Sequence, residues 1–304
     1  MAFYSIYFNM NIIDKLNKIC KTKQNVPLKF YSNMHCGGNA QYLCMPNSIG
    51  QIKKLVKFLN KNDIPFYVIG NGTNVLFKDE DFVGVIISLR KFNKIKSLFN
   101  RVYPCSGASL SKLNYFLKTN GLSGLEWSYG IPGTVGGAIC MNAGAYGGEI
   151  QTNIQYVDCF DKTTNQIVRL KKTEMQFGYR QSIFQNGRYI ILKAKLIFAK
   201  GDTKTIEQNQ QMYIQKRRNT QPISSYNLGS IFKKNEGKSA GQIIDELGLK
   251  GYKIGGAYIS KLHANFILND GTATAKDVLD LIEFIKTIVK EKCNITLQEE
   301  IKIV

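Results

Sequence analysis

The chain predicts an α+β protein of two or three lobes, and three observations carry that reading. Its 304 residues exceed what one core usually encloses, while a 44% hydrophobic content is ordinary for a globular protein. Short apolar strand-like runs alternate with amphipathic helical ones, and no G-x-G-x-x-G opens a helix, which disfavours a Rossmann dinucleotide site. Residues 130–148, GIPGTVGGAICMNAGAYGG, hold seven glycines in nineteen positions. Each glycine costs backbone entropy that a plain turn would not spend repeatedly, so this loop predicts close approach of the backbone to a ligand.

The elements follow in order. Ile12, Ile13, Leu16 and Ile19 fall at helical spacing within residues 11–20, and Ser48 with Gln51 reads as a capping box opening a helix to about Asn60. Phe66 to Ile69 reads as a buried strand emptying into Gly70-Asn71-Gly72-Thr73-Asn74. Taken alone that turn is as compatible with a simple connection as with a ligand site. Val83 to Leu89 and Arg101 to Cys105 read as strands, Ser109 to Thr119 as a helix, and Tyr156 to Phe160 and Tyr189 to Phe198 as further strands. A polar helix spans Thr205 to Arg218, and the Pro and serines of residues 220–225 mark a break. Ser239 and Gln242 cap a short helix, Ala257 to Ile259 and Asn265 to Leu268 are strands, and Thr274 caps a long helix to Lys292. Its stripe of Val278, Leu281, Ile282, Ile285, Ile288 and Val289 is core packing. Ile295 to Val304 is expected as a closing strand.

Composition excludes several function classes. No run approaches the roughly 18 to 20 apolar residues that span a bilayer, and the start lacks a secretory leader, so cytoplasmic residence without membrane association is expected. Seven scattered cysteines contain no C-x-x-C pair, and two histidines, His35 and His263, leave no material for a zinc site; no metal is expected. The net charge of +19 is spread as lysine over helix faces. It is as compatible with a plain solvated surface as with steering of an anionic small molecule, and no arginine–aromatic interleaving points to nucleic acid.

Five blocks then occur in order: GNGTN (70–74), GLSGLEWSYGIPGTVGGAICMNAGAYGGEI (121–150), FGYRQSIF (177–184), GSIFK (229–233) and LQEEIKIV (297–304). From about Tyr31 onward the chain resembles the UDP-N-acetylenolpyruvoylglucosamine reductase (UDP-N-acetylmuramate dehydrogenase) family, in its shorter branch. The resemblance implies a two-lobed FAD-binding region of the PCMH type over residues 1–205 (lobes 1–62 and 63–205) and a substrate-binding α+β domain over 206–304. It implies a monomeric FAD-dependent oxidoreductase in which NADPH reduces non-covalent flavin. UDP-N-acetylglucosamine enolpyruvate then becomes UDP-N-acetylmuramate, a step of peptidoglycan synthesis serving cell wall, shape and division. The alternative is a sugar or lactone oxidase of the same flavin-binding superfamily.

The same resemblance assigns roles. Reducing an enol ether conjugated to a carboxylate needs a hydride donor, a carboxylate stabiliser and a proton donor. Arg180 supplies a permanently charged fork for the carboxylate. Ser230 resembles the family's proton donor, and Glu300 stabilises the enol or relays the proton. Alternation does not separate Glu300 from its neighbour Glu299; the family pattern does. The flavin pyrophosphate falls to Gly70, Asn71, Gly72, Thr73 and Asn74 and to Gly130, Ile131, Pro132, Gly133, Thr134 and Gly137, with Asn142, Ala143 and Gly144 near the ring. Lys216, Arg217 and Arg218 meet the substrate diphosphate or are simply a basic helix end. Two departures from the family pattern bear on substrate-side contacts: Thr220 stands where relatives commonly carry a basic residue, and Ser225-Tyr226-Asn227-Leu228 replaces the usual proline and small residues.

Overall fold

A computed structural model of the chain describes residues 12–235 and 237–304. It divides into two compact units, one of the described residues through Val26 with Ala40–Asn71 and Val83–Ile214, the other of Pro27–Asn39, Gly72–Phe82 and Gln215–Val304. The helix Thr203–Thr220, near whose start the sequence reading sets its boundary, contributes residues to both.

The first unit is built on two sheets. Strands Lys21–Pro27, Asn39–Met45, Phe82–Ser88 and Phe66–Ile69 lie in that order in a four-stranded sheet, the last two parallel with Ile69 opposite Ser88. Leu16 of the helix at residues 12–19 and Ile52, Leu55, Val56 and Leu59 of helix Ile49–Lys61 are buried in one core with Tyr42, Val85 and Ile87. Ser48 caps the second helix through the Gln51 N–H, but the Gln51 side-chain Oε1 accepts from the Asn47 amide rather than from that of Ser48, so only half of the expected box forms.

A five-stranded antiparallel sheet runs Gln166–Lys171, Ile154–Asp161, Tyr189–Ile197, Arg101–Pro104, Ile95–Leu98. Its middle strands alternate: Val157, Cys159, Ala194 and Leu196 enter a core with helix Leu110–Thr119, while Phe160, Ile190 and Leu192 enter the core of the first sheet. The polar helix Thr203–Thr220 docks through buried Ile206 and through buried Gln210, whose Nε2 donates to the Asn114 side chain and carbonyl.

The glycine-rich stretch is not a continuous loop. Val135–Cys140 form a helix capped by Thr134, and Gly144–Ala145 pair with Gly148–Glu149. Glycine is about 1 kcal/mol worse than alanine in a helix, so this turn depends on its surroundings. The Val135 and Gly136 amides donate to the carbonyls of Ala108 and Ser106, which supplies them.

The second unit holds a three-stranded meander, Lys253–Ile254, Ala257–Ile259 and Ile267–Asn269, packed with helices Ala240–Glu246 and Ala275–Cys293. Both helices carry the predicted caps, Ser239 with Gln242 and Thr274 with Asp277. The Asp79 carboxylate also accepts from the Ala275 and Lys276 amides, where a helix start favours an anion. The closing strand is shorter than predicted: only Lys302–Ile303 are strand, parallel to Val75–Leu76. The reason is a change of partner. Residues 298–300 bond to Lys233 and Ile231 before the chain crosses to Asn74 and Leu76. The strand expected at Asn265 to Leu268 begins at Ile267 because Asn265 turns its groups to Ile231 and Phe232.

Candidate active site

Gly70 lies against Thr134 so closely that a Cβ at position 70 would overlap the threonine hydroxyl. The two glycine-bearing stretches therefore meet inside the first unit. Arg90, in the short helical turn that follows the strand parallel to Phe66–Ile69, donates Nη2 to the Asn71 carbonyl at 2.8 Å and Nε to that of Gly70 at 3.3 Å. With carbonyls turned to Arg90, the turn's N–H groups are left over. Sequence reasoning missed Arg90; its signal was a cation placed immediately after the buried run Val85–Leu89. In the second unit Gly72, at φ +66°, packs on the Tyr31 carbonyl and accepts from the Asn33 amide.

A donor census separates the glycine residues. The amides of Val135 and Gly136 are spent on Ala108 and Ser106, and that of Gly137 on Thr134 Oγ1 at 3.2 Å. Among the described residues those of Gly130, Gly133 and Thr134, and those of Asn71, Gly72, Thr73 and Asn74, donate to no acceptor. Gly136 and Gly148 serve packing: a Cβ on Gly136 would lie 2.8 Å from that of Ser106, and one on Gly148 would enter the Trp127 ring.

Asn142 is fully buried, and its Nδ2 donates to Glu149 at 3.0 Å and to the Gly178 carbonyl at 2.9 Å. Gly178 and Gln181 bond in both directions around a tight turn whose third residue is Arg180. Arg180 has φ +52°, a left-handed conformation costing roughly 1–2 kcal/mol in a residue with a Cβ. Its surroundings hold it there. Gln185 Nε2 donates to the Arg180 carbonyl at 2.8 Å and to that of Cys140 at 3.1 Å, Ser182 Oγ also donates to Cys140, and Arg180 Nη2 donates to the Gly144 carbonyl at 2.7 Å. The structure thus brings Arg180 together with Asn142 and Gly144. Sequence reasoning missed Gln185, which no pattern marks.

In the second unit the Glu300 amide donates to the Ile231 carbonyl at 2.7 Å, and Phe232 pairs with Glu299. Ser230 and Glu300, seventy positions apart, therefore stand on neighbouring stretches of backbone. The Ser230 hydroxyl makes no hydrogen bond among the described residues. Glu299 is engaged by Lys286 Nζ at 2.8 Å; burial raises its pKa, and this ammonium together with a backbone N–H outweighs the rise, leaving it below the ordinary value. The helical 100° step separates the basic triplet. Arg217 is 6% exposed with Nη1 3.3 Å from Gln221 Oε1, while Lys216 and Arg218 are exposed.

Both histidines are used locally. His35 stacks on Tyr226, and His263 Nδ1 accepts from the Asn265 amide while burial lowers its pKa. A cavity of about 550 Å³ in the first unit, lined by Leu59, Asn60, Asp63, Phe66, Lys162 and Asn165, includes none of the expected site residues. Among the described residues no helix is long and apolar enough to cross a membrane, and no group of three or more metal-ligating side chains occurs.

A UDP-N-acetylenolpyruvoylglucosamine reductase from Caldanaerobacter subterraneus is 40% identical over 296 residues, 96% of this chain and 98% of that protein. The chain belongs to the UDP-N-acetylenolpyruvoylglucosamine reductase family. Residues 221–304 match the C-terminal domain of that reductase, and residues 40–171 match an FAD binding domain. The family's Clostridium novyi member is 40% identical over 99% of this chain and 97% of its own length. The crystal structure of the Thermus caldophilus reductase superposes with a TM-score of 0.79 at 32% identity, covering 93% of this chain and 98% of that one.

FAD fits the residues present. Its pyrophosphate calls for anion-binding donors, and within the first unit the unspent amides of Asn71, Gly130, Gly133 and Thr134 are of that kind. Gly70 leaves no room for a side chain beside Thr134, so the first turn and the cap of the glycine-rich helix are held against each other.

Proposed function

We propose that this protein reduces the enolpyruvyl group of UDP-N-acetylglucosamine enolpyruvate to give UDP-N-acetylmuramate, with NADPH as hydride source and non-covalently held FAD, in peptidoglycan precursor synthesis. Family membership along nearly the whole chain supports the activity. The structural observation that supports it is the Glu300–Ile231 backbone bond, which brings the stretches bearing Ser230 and Glu300, far apart in sequence, onto adjacent backbone. The wider reading is of a cytoplasmic monomer acting without nucleic acid or membrane, with residues 1–205 as flavin region and 206–304 as substrate domain.

Bound FAD would supply hydride acceptance from NADPH and its delivery to the substrate. The chain's own groups do the rest. Amides of Asn71, Gly130, Gly133 and Thr134 hold the pyrophosphate without a charged side chain. The Arg180 guanidinium, presented by its left-handed turn, holds the substrate carboxylate through charge-assisted bonds that strengthen as electron density moves onto it. The Ser230 hydroxyl delivers the proton to the carbon bearing the carboxylate; the enolate is a strong base, so a weak acid suffices when it is positioned. Glu300 stabilises the enol or returns the proton to Ser230. Arg217 and Arg218 meet the diphosphate of the substrate.

The test is the visible spectrum of the purified protein, followed by anaerobic reoxidation of its NADPH-reduced flavin by UDP-N-acetylglucosamine enolpyruvate. Yellow protein whose colour returns only with that substrate is the expected result. Folded, colourless protein that takes up no FAD overturns the reading.

A further inference from the structure

Ser230 is held between two asparagine clamps. On the upstream side Asn227, 8% exposed, uses its whole carboxamide: Nδ2 donates to the Ser225 carbonyl at 2.7 Å and to that of Pro222 at 3.0 Å, and Oδ1 accepts from the Gly229 amide at 2.9 Å. Its backbone carbonyl accepts from Asn33 Nδ2 at 2.8 Å. Downstream, Asn265 accepts from the Ile231 amide through its carbonyl and from the Phe232 amide through Oδ1, and its Nδ2 donates to the Phe232 carbonyl. Gly229 between them has φ +79° with open space where a Cβ would stand, so the glycine is required by conformation and not by crowding.

A serine side chain has one rotatable bond, and the hydroxyl of Ser230 has no hydrogen bond of its own to aim it. Its direction is therefore inherited from the backbone at 229–231. Of the residues that shape this backbone, Asn227 lies in the segment where the chain departs from the family's usual proline and small residues. The departure is not a loose loop; it is a turn closed by its own side chain.

We propose that Asn227 is a positioning residue for proton delivery, setting the direction of the Ser230 hydroxyl through the Asn227–Gly229 turn. The inference rests on Ser230 being the proton donor. Asn227 touches no reacting atom and acts only through Ser230.

The test follows the two half-reactions of the flavin-loaded enzyme separately by anaerobic stopped-flow. Asn227→Ala leaves flavin reduction by NADPH within about twofold and slows reoxidation by the enolpyruvyl substrate about tenfold to a hundredfold, as a small misplacement of a reacting group does. Asn227→Ser, whose hydroxyl still accepts from the Gly229 amide, recovers most of that loss. Asn227→Ala added to Ser230→Ala slows reoxidation no further. If Asn227→Ala fails to fold, Asn227→Asp, which keeps the acceptor and loses both donors, takes its place with the same expectation. Wild-type reoxidation in the Asn227 variant, an additive double variant, or equal slowing of both half-reactions overturns the proposal. Failure of the underlying reading is distinct: Ser230→Ala itself then reoxidises at the wild-type rate.

Discussion

A Cβ on Gly70 would overlap the hydroxyl of Thr134, so the turn after the half-buried strand Phe66–Ile69 and the cap of a glycine-rich helix share one volume. Thr134 is therefore used twice, as neighbour to Gly70 and as acceptor for the Gly137 amide. Gly70→Ala is expected to cost about 1–3 kcal/mol through overpacking. It also lowers flavin content, read as the ratio of visible to ultraviolet absorbance. Thr134→Ala costs about 1 kcal/mol as a lost cap. Because it also relieves the overlap, the double variant should lose less than the sum of the two; strictly additive denaturation midpoints would rule the contact out as the cause.

Arg180 combines a charge with a turn that fixes its backbone. Arg180→Lys keeps the charge but loses the fork, and turnover should fall by about 10²–10³-fold, the range for removing one oriented donor. Gln185→Leu removes the nitrogen that holds the Arg180 carbonyl and leaves the guanidinium intact, so a smaller loss of kcat at an unchanged flavin spectrum is expected. Steady-state NADPH consumption measures both, and a Gln185→Leu enzyme as fast as wild type would remove Gln185 from the site.

Adjacent carboxylates should behave oppositely. Glu299→Gln breaks the contact with Lys286, a partly exposed pair worth at most about 1 kcal/mol, and leaves turnover near wild type. Glu300→Gln is expected to lower kcat while leaving thermal stability within about 0.5 kcal/mol of wild type, the usual range for a change away from packing. Equal activities in the two variants would contradict the assignment.

Acid stability should depend on Asp161, whose carboxylate receives two nitrogens of Arg188 and the amides of Thr163 and Thr164. The Arg188 bonds hold its pKa well below the ordinary value of about 3.9. A depressed carboxylate contributes stability that is full above the unfolded pKa and is lost as pH falls through the folded one. Asp161→Asn should therefore be less stable than wild type above about pH 4, with the gap narrowing at lower pH. Denaturation midpoints across that range check it; a constant gap would show that Asp161 acts by packing alone.

Elements with local causes were legible. Helices at Ile49–Lys61, Leu110–Thr119 and Ala275–Cys293 carry a capping residue and an amphipathic stripe within their own span, and each formed where predicted. The helix inside the glycine-rich stretch was not legible, because its first two amides are satisfied by Ser106 and Ala108, about thirty residues upstream. Alternation alone treats Glu299 and Glu300 alike, so the family pattern had to choose Glu300; that Lys286, on a separate helix, pairs with Glu299 was visible only in the fold.

The linear order of residues determined the class of fold, the family and the three blocks that carry the arginine, the serine and the glutamate. Those properties reside in short-range signals: caps, periodicity and contiguous motifs. Folding in three dimensions decided which main-chain donors stay unspent, that Glu299 pairs with Lys286, and which asparagines close the turns on either side of Ser230. Most of these depend on a partner distant along the chain, as Arg90 is from Gly70 or Asn265 from Phe232, and hydrogen bonding is settled by distance in space rather than by separation in sequence.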